Sequence, residues 1–205
     1  MNEILWIISL LLSFIIALLS YKYLGKIGLF IWIVVATIVS NIQTVKIINL
    51  FGLETSLDTI LYGSSFLATD ILNYKFGEKE ARKTIVYGFV AMVIMTLFMS
   101  ISLIYNPSVN DFSQDSLKII FSLNIRITIA SLIAFGISQL IDTILFTIIT
   151  YIGTVDFRTL LEMMLSIYLL KFIVAILDTP FMYMASKIKG ITKDEIENQD
   201  GKNGR

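Results

Sequence analysis

The feature that most constrains this chain is a set of long apolar runs, separated by short stretches that hold most of the charges. The clearest run covers residues 84–105, which are 22 positions without Asp, Glu, Lys or Arg. A helix of about 20 apolar residues is long enough to cross the hydrocarbon core of a bilayer. Charged residues make up 16% of the chain, well below the share of about 25% in soluble domains. The sequence therefore predicts a membrane protein.

We predict an all-α fold, a polytopic membrane helix bundle with about six transmembrane helices. The expected spans are residues 4–20, 27–49, 59–73, 84–105, 117–152 and 163–184. At 1.5 Å per residue the fifth run would extend about 54 Å, too far for one ordinary span, so we expect a bent or re-entrant segment there. Residues 1–187 are expected to form a single transmembrane domain, and residues 188–205 a charged, disordered cytoplasmic tail.

The distribution of Lys and Arg predicts the orientation. The connectors at residues 21–26 and 75–83 are basic, so both are expected in the cytoplasm and the N-terminus outside. The basic tail from Lys187 should also be cytoplasmic, although six simple crossings would place it outside. This conflict disappears if the fifth run turns back on itself. Residues 51–58 are expected to form a polar loop, in which Ser56 or Asp58 caps the next helix.

The third run contains an acid. A charge at the bilayer centre costs about 2.5–3.5 kcal/mol on insertion scales, so Asp70 is a candidate for a functional site. Tyr62 and Phe66 precede Asp70 at four-residue spacing, which places both rings on its side of the helix. The alternative is that Asp70 lies near the lipid headgroups and ends the helix, while the two rings only pack.

The fifth run carries a polar stripe. At 100° per residue, Ser131, Ser138 and Asp142 fall within about 40° of one another, and Gln139 lies about 60° to one side. Arg126 falls on nearly the opposite face, so it joins the stripe only if the segment bends. The alternative for Arg126 is a side chain that extends to the membrane interface.

The sixth run also contains two charges. Lys171 and Asp178 are seven positions apart, which places them on one helix face with a rise of about 10 Å between them. Pro180 cannot donate a backbone hydrogen bond and frees the carbonyl of Ile176. A broken turn beside a buried acid is a common way to build a transporter site, and we expect one here.

Several function classes are disfavoured by what the sequence lacks. Lys plus Arg and Asp plus Glu both number 16, so no excess charge suggests a nucleic-acid partner. The chain has no Cys, no His and no GxSxG or HExxH pattern, so we expect no enzyme, no metal site and no cofactor. Because a GxxxxGK[ST] loop is also missing, ATP-driven transport would need a separate ATPase partner. A purely structural bundle is disfavoured by the cost of the intramembrane charges.

Three stretches resemble the queuosine precursor transporter family, which is also described as a family of vitamin uptake transporters. FLATDILNYKFGEKEARK is similar to its Thr-Asp, aromatic-Gly and Ala-Arg signature, IRITIASLIAFGISQLIDTILF to its Arg…Ser…Gln…Asp helix, and LLKFIVAILDTPFMY to its last helix. The chain departs from the family pattern in two places. Ser…Gln…Asp-Thr occurs once and not twice, and Asn73 stands where the family usually has an acid.

The resemblance implies a transporter in the bacterial cytoplasmic membrane that imports a queuosine precursor. Such a precursor is a 7-deazaguanine, such as the 7-cyano or 7-aminomethyl form, or queuine. The alternative is the substrate-binding membrane subunit of an ATP-driven vitamin importer with separate ATPase partners, and a homo-oligomer stays open. The guanine-like edge of such a ligand offers two donors that one carboxylate can accept. We expect the substrate to be bound by Asp142, Gln139, Asp70, Ser138, Arg126, Lys171, Asp178, Tyr62 and Phe66.

Overall fold

The computed structural model describes residues 1–134 and 139–189, without the side chains of Leu123 and of residues 130–143. It confirms the predicted all-α membrane helix bundle, with one small β-hairpin added. In chain order the elements are α1 (Asn2–Gln43), β1 (Ile47–Leu50), β2 (Leu53–Ser56), α2 (Thr59–Phe76), α3 (Glu78–Ser102), α4 (Gln114–Ala134), α5 (Gln139–Tyr151) and α6 (Phe157–Lys187). Within the described residues, α1, α3 and α6 are long and apolar enough to cross a membrane.

Helix α1 consists of two apolar arms joined by a reversal at Gly25. The backbone there has φ 59° and ψ −139°, a conformation that residues with a Cβ rarely adopt. The arms meet closely, since a Cβ added at Gly28 would lie 2.0 Å from the carbonyl oxygen of Ser20. The reversal brings the start of the chain back past the far end of α1 to β1, where the side-chain amide of Asn2 donates to the carbonyl of Asn49 at 2.9 Å. The first two predicted spans are therefore antiparallel neighbours.

The second predicted span is shorter than expected, because its last residues form a strand. Helix α1 ends at Gln43, and β1 then pairs with β2 in an antiparallel hairpin with Ile47 opposite Ser56. Phe51 and Gly52 at the turn have φ values of 56° and 83°, which is the geometry of a two-residue hairpin turn. The predicted helical end and the predicted loop were both wrong here.

Three basic stretches lie together at one end of the bundle, which we call the basic end. Lys26, beside the reversal in α1, forms an ion pair with Glu80 at the start of α3, with 3.1 Å between Nζ and Oε2. Lys75 near the end of α2 donates to the carbonyl oxygen of Ser186 near the end of α6 at 2.7 Å. The N-terminus and the β-hairpin lie at the opposite end, the hairpin end. The predicted grouping of the basic connectors is confirmed.

The long fifth run folds as two helices that pack against each other, α4 and α5. Arg126 in the middle of α4 donates from Nη1 to the carbonyl of Thr150, near the end of α5, at 3.4 Å. Helix α5 thus returns to the hairpin end, where the hydroxyl of Tyr151 donates to the carbonyl of Thr44 at 2.9 Å. This confirms the prediction that the segment turns back. Because this run folds back on itself, the N-terminus and the end of α6 can lie at opposite ends of the bundle.

The main apolar core lies between α1, α2 and α6. Its buried side chains include Trp6, Leu10, Phe14, Leu67, Ile71, Leu170 and Val174. Helices α2 and α6 run in the same direction and approach closely at Gly63, where an added Cβ would lie 2.7 Å from Cγ1 of Val174. The core therefore fixes the register between the two helices that carry most of the candidate residues.

Helix α6 continues through Pro180 as far as Lys187. The missing N–H of Pro180 removes one backbone hydrogen bond to Ile176. The neighbouring Thr179 hydroxyl donates to the carbonyl of Ala175 at 3.1 Å, inside the helix. The loss of one bond has not opened the helix, so the predicted broken turn was wrong.

Candidate functional site

Six of the nine predicted binding residues have described side chains, namely Asp70, Arg126, Lys171, Asp178, Tyr62 and Phe66. They lie on three helices, with α2 and α6 carrying all but Arg126. The side chains of Gln139 and Asp142, and the whole of Ser138, lie outside the described residues. The polar stripe therefore stays a prediction.

Asp70 on α2 and Asp178 on α6, which we call the acid pair, lie on helices that pack against each other, and the negative charge of Asp70 acts on Asp178. Asp178 is buried, with 8% of its surface exposed, whereas Asp70 is exposed on α2. Neither acid forms an ion pair with any described residue. A buried carboxylate such as that of Asp178, with a second acid nearby, is costly unless hydrogen-bond donors or a cation meet it. The acid pair is therefore suited to a ligand that presents donors.

The two aromatic rings predicted beside Asp70 contact each other. Tyr62 and Phe66 pack edge to face, with 5.1 Å between ring centroids and 78° between ring planes. Tyr62 is 42% exposed, and Phe66 is partly buried. The rings lie one and two helical turns before Asp70, so they place aromatic surface between the hairpin end and the acid pair.

Lys171 on α6 interacts with an acid that pattern analysis did not select for binding. Its positive charge acts on Asp58, the residue that precedes α2. Asp58 also accepts a short hydrogen bond from the hydroxyl of Ser56. Asp58 stands at the N-cap position of α2, but its side chain makes no cap hydrogen bond. The predicted capping role was wrong for both residues, because their side chains bond to each other.

Asp58 belongs to a polar group at the hairpin end, which we call the hairpin-end cluster: Thr44, Ser56, Asp58, Tyr151 and Lys171. Thr44, Ser56 and Tyr151 are 2%, 0% and 1% exposed. Burial is the largest influence on Asp58 and raises its pKa, although the Ser56 hydroxyl and the Lys171 ammonium both act to lower it. The cluster joins the ends of α1 and α5, strand β2, the start of α2 and the middle of α6. It is a polar network inside an otherwise apolar bundle.

Arg126 lies beside this cluster, on α4. It donates to the carbonyl of Thr150 in the last turn of α5, where helix carbonyls lack intrahelical partners and attract cations. The hydroxyl oxygen of Thr150 and both amide atoms of Asn124 are buried without a hydrogen-bond partner among the described residues. Buried polar atoms are normally hydrogen-bonded, so these atoms need partners that the described residues do not supply.

Sequence reasoning missed Asp58, Tyr151 and Asn124 as parts of the site. One signal could have pointed to Asp58, because Lys171 has no acid within four positions on its own helix. A charge inside an apolar helix usually pairs with a group on another element. No comparable signal marks Tyr151 or Asn124 in the sequence.

Comparison with known proteins decides the family. A family model described as "Putative vitamin uptake transporter" matches residues 56–148 and 136–185. The chain belongs to this family. A curated relative from Bacillus subtilis (strain 168), "Probable queuosine precursor transporter", is 36% identical over 226 aligned positions, which cover 95% of this chain and 98% of the relative. No solved structure matches the chain.

The family confirms the resemblance seen in the three sequence motifs, and the protein is a membrane transporter. The two matched segments overlap at residues 136–148, the stretch that carries Gln139 and Asp142. The alignment with the Bacillus protein spans 226 positions, more than the 205 residues of this chain. The alignment therefore contains positions at which this chain has a gap.

Proposed function

We propose that this protein imports a queuosine precursor into the cytoplasm of a bacterium, across the cytoplasmic membrane. The observation that carries the proposal is the similarity to the Bacillus protein along nearly the whole length of both chains. The substrate is a 7-deazaguanine, such as 7-cyano-7-deazaguanine or its aminomethyl form, or queuine. The charged and aromatic side chains inside the apolar bundle support a binding site for such a ligand.

The hydrogen-bonding edge of a deazaguanine matches the acids of this protein. Its N1–H and its exocyclic amino group are two neighbouring donors, which one carboxylate accepts through both oxygens. Asp142, Asp70 and Asp178 are the carboxylates proposed for this role. The acid pair supports it because its repulsion would be relieved by ligand donors.

The other proposed residues complete the recognition of a planar purine-like ring. Gln139 and Ser138 can pair with polar atoms of the ligand, and Lys171 or Arg126 can donate to its carbonyl oxygen. Tyr62 and Phe66 supply aromatic surface for the ring. Transport then requires binding inside the bundle and a rocking of its helices, without covalent chemistry.

The proposal is tested by uptake of labelled 7-cyano-7-deazaguanine into cells that can neither make nor import queuosine precursors. Cells that express this protein should accumulate the label and restore queuosine in their tRNA, and cells with an empty vector should not. Excess unlabelled 7-aminomethyl-7-deazaguanine should compete, whereas adenine should not. If the expressed and membrane-inserted protein gives no uptake of any of the three precursors, the proposed function is wrong.

A further inference from the structure

We propose that the side-chain amide of Asn124 on α4 binds the pyrrole edge of the ligand and makes the transporter selective for a free base over its nucleoside. The inference rests on the proposed function, in which the ligand is a 7-deazaguanine. The amide oxygen accepts from N9–H of the ligand, and the amide nitrogen donates to N3. A nucleoside carries its ribose on N9 and lacks this donor, so it loses the contact.

The amide of Asn124 is buried inside the bundle without partners. The residue is 1% exposed, and neither Oδ1 nor Nδ2 forms a hydrogen bond in the part of the chain that the structure describes. Among the described residues, it is the one side chain with two such atoms, one a donor and one an acceptor. An amide that has lost its water without finding a partner is unfavourable. A ligand that offers one acceptor and one donor removes this penalty.

The position of Asn124 is fixed by its neighbours. The hydroxyl of Thr128 donates to the backbone carbonyl of Asn124 at 2.9 Å, and it lies 3.4 Å from the hydroxyl of Thr96 on α3. Phe121 and Ile127 are buried about one turn before and after Asn124, on the same face of α4. The amide therefore lies between two apolar side chains on a face where water competes little for its hydrogen bonds.

A second unpaired polar group lies at a similar level of the bundle. The side chain of Gln114 donates to the carbonyl of Leu103 at 3.2 Å, so α4 starts where α3 ends, away from the basic end. Arg126, two residues after Asn124, reaches the carbonyl of Thr150 in the last turn of α5. The hydroxyl of Thr150 is also buried without a described partner. Unpaired groups on two helices that pack against each other mark the place of a ligand.

The pyrrole edge of the ligand has no partner among the residues already proposed. A carboxylate accepts from N1–H and the exocyclic amino group, and a cation donates to the carbonyl. The atoms that remain are N3, an acceptor, and N9–H, a donor, which are bonded to the same ring carbon. Because position 7 is carbon, the proton stays on N9. An amide pairs with such a donor and acceptor at once, whereas a carboxylate only accepts and an ammonium group only donates.

The first part of the test uses the purified full-length parent protein and two ligands, 7-cyano-7-deazaguanine and its 9-methyl derivative. The methyl group removes the N9–H donor and leaves the rest of the ring unchanged. Calorimetry should show that the derivative binds about 10- to 100-fold more weakly. Equal affinity for the two ligands overturns the inference without any variant. A parent protein that binds neither ligand overturns the proposed function, which is a distinct result.

The second part repeats both measurements with Asn124→Ala. This variant should bind 7-cyano-7-deazaguanine about 10-fold more weakly than the parent does, because both hydrogen bonds are lost. It should bind the two ligands within about 3-fold of each other, because the group that distinguishes them is gone. The matched control is Asn110→Ala, at an exposed position between α3 and α4, which should keep the ratio of the parent. The parent's ratio in folded Asn124→Ala overturns the inference.

The third part separates ligand recognition from a role in folding. Asn124→Leu keeps the branched shape of the side chain and removes its unpaired polar atoms, so thermal unfolding should occur at the parent's temperature or above it. Its affinity for 7-cyano-7-deazaguanine should nevertheless fall about 10-fold or more. An Asn124→Leu variant that does not fold, or that binds as tightly as the parent, overturns the inference. This part also decides the matter if Asn124→Ala fails to fold.

Discussion

The ammonium group of Lys26 lies 3.1 Å from the carboxylate of Glu80, which ties the reversal in α1 to the first turn of α3. These residues belong to the two basic connectors that the sequence places far apart. Lys75 makes a similar tie between α2 and the end of α6, at 2.7 Å from the carbonyl of Ser186. All three basic stretches therefore face one side of the membrane. The positive-inside rule predicts that this side is the cytoplasm.

The first prediction tests this orientation with single cysteines, which is simple because the chain has no Cys. Lys79→Cys, at an exposed position of the basic end, should resist a membrane-impermeant maleimide in intact cells. Val109→Cys, at an exposed position between α3 and α4, should react at once. Both variants should react after the membrane is permeabilised, which controls for accessibility. Rapid labelling of Lys79→Cys in intact cells would reverse the assigned topology.

The second prediction concerns the close approach of α2 and α6. A Cβ at Gly63 would lie 2.7 Å from Cγ1 of Val174, so Gly63→Ala should force the helices apart. Overpacking of this kind costs about 1–3 kcal/mol. Denaturant unfolding in detergent should show the loss, and Val174→Ala added to Gly63→Ala should return part of it. If Gly63→Ala is as stable as the parent, the helices do not meet as described.

The third prediction concerns pH and the start of α6. The carboxylate of Asp156 accepts from the backbone N–H groups of Arg158 and Thr159, at 3.1 and 3.3 Å. Bonds from Thr159 and Arg158 hold the pKa of Asp156 below its ordinary value. A lowered pKa means that this stabilisation is fully present above the ordinary pKa of an aspartate and is lost as pH falls through the lowered value.

Asp156→Ala should therefore lower the Tm of the protein at pH 7 and have little effect at a pH below the lowered pKa. Asp156→Asn is the matched control, because its amide oxygen can still cap α6 and does not titrate. Its Tm difference from Asp156→Ala should vary less with pH. If the Tm difference between the parent and Asp156→Ala stays constant across the acid range, the ionised carboxylate of Asp156 does not stabilise the start of α6.

The sequence predicts most of this fold because membrane helices are specified locally. Apolar runs set the spans, basic clusters set the ends that lie together, and the excess length of residues 117–152 predicts that α4 and α5 fold back. The failures also have local causes. Residues 47–50 are apolar and continue the preceding run, so nothing in their periodicity separates a strand from the end of a helix. The turn at Phe51 and Gly52 has only its glycine as a signal.

The candidate site is harder to predict than the spans. Helical spacing places Tyr62, Phe66 and Asp70 on related faces, and the contact of the two rings agrees with it. Spacing says nothing about partners on other helices. Lys171 and Asp178 share a face of α6, yet the charge of Lys171 acts on Asp58, and Asp178 feels the charge of Asp70. Such pairings depend on how α2 and α6 pack.

The last prediction concerns which acid contributes most to ligand binding, and we expect it to be Asp142. It lies deep in a long apolar run of the sequence with Gln139 close by, whereas Asp70 is exposed and lies about 9 Å from the end of α2 at the basic end. Asp142→Asn keeps the shape but turns one acceptor into a donor. Such a mismatch costs about 1–3 kcal/mol, or roughly 5- to 150-fold in affinity.

Asp70→Asn should show a smaller loss, and Asp115→Asn, at an exposed site, should show none. Calorimetry with 7-cyano-7-deazaguanine on purified variants gives the three affinities, after thermal unfolding has shown that each variant folds. An exposed acid contributes less because water competes for its hydrogen bonds and screens its charge. If Asp142→Asn binds as tightly as the parent while Asp70→Asn does not, the ligand lies at the acid pair of α2 and α6 and not along the polar stripe.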